Sequence, residues 1–159
     1  MLKINGIICV VCDVCVTIKI KIMNCTRGIR NNNPLNIRRA SYEWKGERSV
    51  KTDPAFTEFT TMEYGLRAGF MLIRTYMLRY HLKTIRLIIS RWAPPSENRT
   101  DRYIERVVKS SGIGPDEPLS IYNEEQMIAL VAAMCEVECG QPIERGLIED
   151  AYEMFVNDL

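Results

Sequence analysis

Histidine is almost missing from this chain: His81 is the only one in 159 residues. A zinc site therefore has few candidate ligands. Long apolar runs are missing too. The longest, Ile7–Val16, is broken by Asp13 and is too short to span a bilayer. Lys3 in front of it gives the look of a signal peptide, but no small-residue cleavage site follows. There is no internal repeat and no low-complexity segment. Basic residues all but vanish after position 112. Residues 113–159 hold 1 Lys or Arg against 11 Asp and Glu, whereas residues 1–112 hold 20 against 9. Either the two parts attract each other in the fold, or the basic part faces an anionic polymer such as nucleic acid or a bacterial wall.

The rest of the composition is that of a soluble globular domain, with 47% hydrophobic and 26% charged residues and enough length for one real core. Six cysteines form no convincing disulfide framework. Cys9, Cys12 and Cys15 have a spacing that an iron–sulfur site uses, but the run lacks its usual continuation and reads as a buried apolar segment. Cys135 and Cys139 lie one helical turn apart. Reduced, structural cysteines and folding in a bacterial cytoplasm are expected, with no metal and no cofactor. Thr17–Ile22 alternates like a half-buried strand. Residues 1–22 are expected to be a poorly defined N-terminal extension, with translation starting at Met23 and the domain running over residues 23–159.

From Thr26 to Trp44 the chain is loop-like, with an Asn triplet before Pro34 that favours turns built by side-chain-to-backbone hydrogen bonds. Phe56–Phe59 alternates like a short strand, so a small β element is expected near residues 45–60. Helices follow. The first is capped by Thr60 or Thr61 and carries Met62, Leu66, Phe70, Ile73, Met77 and Tyr80 on one stripe. Its Gly65 and Gly69, four apart, allow a neighbour to approach closely, and His81 ends it as a C-terminal cation. Thr84 caps a short helix that runs into Trp92 and stops at Pro94-Pro95. Thr100 is expected to cap another, ended by Gly112, and a last helix runs from about Ile143. The fold class is mainly α, a single helical domain.

The most informative helix is Asn123–Gly140. Asn123 caps it, Gln126 completes a capping-box pattern, Ile121 staples the entry and Gly140 closes it. Met127, Leu130, Val131 and Met134 share one face. Glu138 lies eleven residues after Met127, about three turns on, and falls on that same face, with Glu136 on the solvent side. A carboxyl at the end of an apolar stripe should be harder to ionise, as a general acid needs. The competing reading is a carboxylate where the helix merely reaches the surface.

Four stretches together carry a likeness: Gly28–Arg38 (GIRNNNPLNIR), Phe56–Ala68 (FTEFTTMEYGLRA), Arg91–Tyr103 (RWAPPSENRTDRY) and Ala133–Gly140 (AMCEVECG). They resemble the bacteriophage virion proteins of the structural protein P5 family, near the lysozyme-like lytic transglycosylases and muramidases. The likeness runs from about residue 27 to 150. It implies a lysozyme-like fold, peptidoglycan glycan strands as substrate, and a protein that is virion-associated or acts on the cell wall. It implies Glu138, at a helix end before Cys139-Gly140, as general acid and then base. It also implies Tyr103 of the Thr100–Tyr103 segment as a helper at the cleaved bond. Asn33, Asn36, Arg38, Trp92 and Asn98 are the substrate-binding candidates. The family pattern has His and Asn where this chain has Val137 and Cys139.

Glycosidases usually employ two carboxylates. Glu43, Glu58 and Glu63 are candidates for the second, none convincing, which favours the one-carboxylate transglycosylase mechanism. The alternative is a virion structural protein that keeps the fold without catalysis, and other virion proteins would then be its partners. A nucleic-acid-binding packaging role is disfavoured, because no basic helix with interleaved aromatics is present. Peptide cleavage on the same fold is a further alternative. With no wall-anchoring module in the chain, targeting would come from the virion or a partner.

Overall fold

The computed structural model describes residues 25–159, so Cys9, Cys12, Cys15, the Thr17–Ile22 alternation and the expected extension lie outside the described residues. The described chain is mainly helical. Its elements are α1 (Arg27–Arg30), α2 (Met62–Arg79), α3 (Ile85–Trp92), α4 (Thr100–Ser111), α5 (Glu124–Cys139) and α6 (Arg145–Val156). No helix among the described residues is long and apolar enough to cross a membrane.

Helix α5 is the hub. Met127, Ile128, Leu130, Val131, Ala133, Met134, Cys135 and Cys139 are buried, on more than one face of it. A helix apolar nearly all round must be enclosed by others, and α5 packs against α1, α2, α4 and α6. Each fully buried Leu- or Met-sized side chain contributes about 1.5–3 kcal/mol. Its caps are as expected. The Asn123 side chain accepts the Gln126 N–H at 3.1 Å, and Gly140 sits in the left-handed region at φ 70°. The Gln126 side chain does not return to Asn123 but accepts the Ser120 N–H at 3.2 Å, tying down the preceding loop instead.

Helix α6 packs along α2. Phe70 of α2 stacks on Phe155 at 5.6 Å between ring centres and meets the edge of Tyr152 at 5.4 Å. On another side of α2 the Asn-rich loop lies directly on the helix. A Cβ on Gly65 would come 1.9 Å from the Asn32 carbonyl oxygen, and one on Gly69 would strike Leu35 Cδ1 at 2.1 Å. The two glycines are there for close approach.

Three local expectations are corrected. The β element near residues 45–60 is only two isolated antiparallel bridges, Arg38 with Phe56 and Glu47 with Phe59. Scattered backbone bonds, such as Thr57 N–H to the Ile37 carbonyl at 2.9 Å, are reinforced there by side chains: Asn33 Nδ2 donates to the Ile37 and Thr57 carbonyls, and Asn32 Nδ2 donates to that of Phe59. Thr100 does not cap α4. It is the first helical residue, buried, and its hydroxyl donates back to the Ala93 carbonyl. Helix α6 starts at Arg145 rather than Ile143, since Glu144 still has non-helical torsions (φ −55°, ψ 129°). Thr84 does cap α3, accepting the Leu87 N–H at 3.3 Å.

Candidate active site

Glu138 stands at the C-terminal end of α5, half-buried. Three side chains from separate parts of the chain donate to its carboxylate. Tyr103, in the first turns of α4, places its hydroxyl 2.9 Å from Oε1. Trp92, the last residue of α3, brings its indole N–H to the same oxygen at 3.2 Å. Asn36 Nδ2 lies 2.9 Å from Oε2 and 3.4 Å from the Glu138 carbonyl oxygen. Asn36 reaches there because its backbone is left-handed (φ 48°), a conformation Asn tolerates better than most residues. The apolar surround expected for this carboxyl is therefore a polar cradle. Tyr103 is itself buried. Burial first, and then the Glu138 carboxylate, push its hydroxyl well above the usual tyrosine range, so it remains a donor.

The carboxylate opens into a cleft of about 450 Å³. Asn36, Arg38, Trp92 and Asn98 line it. Tyr42 and Trp44 form an edge-on pair at 5.1 Å, Tyr76 and Trp92 another at 6.2 Å, and all four rings face the same space. Flat rings with polar edges suit sugar rings and their hydroxyls. The Arg38 guanidinium lies over Phe56 at 5.5 Å, and that of Arg91 over Tyr80 at 3.8 Å.

Of the residues singled out in the sequence, Asn36, Trp92, Tyr103 and Glu138 thus meet, and Arg38 and Asn98 stand on the same walls. Asn33 does not reach the cleft. It is buried, its amide consumed by Ile37 and Thr57, so it braces the loop that carries Asn36. None of the three expected second carboxylates lines the cleft. Glu43 is exposed and pairs with Lys51 at 3.1 Å. Glu58 is buried and held by Thr52 and Asp53. Glu63 opens α2 beside a different groove, with Tyr64, Asp150 and Glu153. The second carboxylate on the cleft is Glu97, which sequence reasoning passed over. Its one signal was its place inside the Arg91–Tyr103 stretch, next to Asn98.

The thiol beside the site is inert. Cys139 is buried, its Sγ 3.2 Å from the Pro34 carbonyl oxygen, and burial pushes its pKa up to about 11. Among the described residues no group of three His, Cys, Asp or Glu side chains is placed to hold a metal ion.

By structure this is a helical domain with a carboxylate cleft at the end of its central helix. No family model matches the sequence. Over 123 residues it is 43% identical to Protein P5 of Pseudoalteromonas phage PM2, a stretch covering 76% of this chain and 75% of that protein. The chain belongs to the family of that phage protein.

Proposed function

We propose that this protein is a phage or prophage enzyme of lysozyme-like fold that cleaves the glycan strands of the bacterial wall, as a lytic transglycosylase or muramidase. The observation that carries the reading is the placement of Glu138. One carboxylate, fixed by donors from three segments, faces a cleft walled by aromatic rings. Tyr103 and Trp92 both hold Oε1, which leaves Oε2, shared only with Asn36, to meet a glycosidic oxygen. A proton on Oε2 would pass to that oxygen as the bond to the anomeric carbon breaks. The carboxylate left behind would then accept a proton from the attacking group. If that group is the sugar's own 6-hydroxyl, the product is a 1,6-anhydro end. If it is water, the product is a reducing end.

The second reading is a virion structural protein that keeps the fold without catalysis. The comparison supports it better than the first, since the relative is a phage protein whose name carries no activity. Val137 and Cys139, where the family pattern has His and Asn, fit it too. Other virion proteins would then be its partners, and the virion its location.

A zymogram on purified peptidoglycan separates the two, run with the full chain and its Glu138→Gln variant, each checked for a cooperative melt. Clearing by the parent and none by the folded variant is the expected result. No clearing by either, with both folded, leaves the structural reading.

A further inference from the structure

We propose that Glu97 is the second carboxylate of this cleft, the base that activates water, so that the products end in reducing sugars. The inference rests on the glycan-cleaving reading above. Glu138 and Glu97 are the two carboxylates among the residues lining the cleft. They differ in their surroundings. Glu138 is half-buried and takes three side-chain donors. Glu97 is exposed, and none of the ion pairs among the described residues takes it up. Its carboxyl stands where water reaches the cleft.

The backbone that carries it is also fixed. The segment between α3 and α4 leaves Trp92, which holds Glu138, and turns at once. The Glu97 and Asn98 N–H groups both donate to the Pro94 carbonyl at 3.0 Å, and the buried Thr100 hydroxyl donates to that of Ala93. Two adjacent prolines, Pro94 and Pro95, limit the backbone further. The turn that carries the base thereby starts directly from Trp92, whose indole donates to the acid. A general base needs such a constant offset from its acid. In the step itself, Glu138 gives its proton to the leaving glycosidic oxygen as that oxygen's bond to the anomeric carbon breaks. Water oxygen forms the new bond to that carbon while Glu97 takes the water proton. The proton then returns to Glu138 through solvent.

The test compares the full chain with Glu97→Gln and Glu97→Ala on purified peptidoglycan, with products identified by mass spectrometry. Reducing ends from the parent are expected, with a fall of about 10²-fold or more in kcat for Glu97→Gln at little change in KM. Addition of azide to Glu97→Ala should restore turnover and yield a glycosyl azide, because azide attacks without a base to deprotonate it. A merely structural role would give no azide adduct. Parent products that are all 1,6-anhydro ends, or full activity in Glu97→Gln, would overturn the assignment while leaving Glu138 in place. No cleavage by the folded parent would overturn the glycosidase reading itself, and Glu97 with it.

Discussion

Glu58 and Glu138 are both carboxylates held by three or more donors, yet they serve opposite ends. The donors to Glu58 come from its own neighbourhood. They are the Thr52 N–H and hydroxyl and the Asp53 N–H, with the Arg48 guanidinium at 3.8 Å. Backbone donation from Asp53 does most to hold its carboxyl below the usual range. It is 3% exposed and closes the turn on itself. The donors to Glu138 are side chains from α3, α4 and the Asn-rich loop, and its free edge faces a cleft. A carboxylate satisfied by nearby backbone is a clasp. One satisfied by distant side chains keeps an open side toward a cleft.

Substitution breaks this contrast most sharply at Glu138. Glu138→Gln should lower glycan cleavage by about 10²- to 10⁴-fold, read in a turnover assay, with a smaller loss of stability than at Glu58 because its amide N–H₂ can turn to the open cleft. Glu58→Gln should do the reverse. Its amide group turns an N–H₂ toward donors, and the loss of stability should be about 2–3 kcal/mol in denaturant unfolding, with Glu138 still cradled. Gly65→Ala should match it, at about 1–3 kcal/mol, because the new methyl meets the Asn32 carbonyl and must push the loop carrying Asn36 off α2. Tyr103→Phe removes one hydrogen bond to a carboxylate, worth about 1.5–3 kcal/mol at most. It should cost activity more than stability, as the ring stays packed.

The smallest effect is at Asp53. Its carboxyl is held down to about 2 by the Ala55 N–H first and by the Asn31 amide. The folded-state value lies below the unfolded one, so its contribution is complete above about pH 4 and fades as pH falls toward 2. Acid unfolding of Asp53→Asn against the parent should show a difference at pH 5 that shrinks below pH 3.

Helix α5 was legible because three independent signals agreed: the Asn123 cap, the buried stripe and Gly140. The stripe also put Glu138 on the inner face. Asn36, Trp92 and Tyr103 were reached as candidates through resemblance, and their meeting around it is visible only in the fold, since no periodicity relates residues so far apart. Thr100 looked like a cap because its type suits one, but a nearer carbonyl, that of Ala93, captured its hydroxyl. The strand at Phe56–Phe59 was overread because its backbone N–H bonds go to scattered partners, Thr57 to Ile37 and Phe59 to Asn31, while Asn amides take the Thr57 and Phe59 carbonyls. Glu97 escaped notice for a physical reason as well. An exposed glutamate in a proline-rich turn has the pattern of any solvated surface residue, and only the fold shows what it faces.

The cradle of Glu138 also has a place in time. Asn36 stands 102 residues away along the chain, Trp92 46 and Tyr103 35. Each of these bonds closes a long loop, and ordering a long loop comes late relative to helices built from local contacts. During synthesis Glu138 itself emerges after all three of its holders. A nascent or half-folded chain would carry every helix up to α4 and still have no site. Helical circular dichroism should therefore return earlier in refolding than the fluorescence of Trp92.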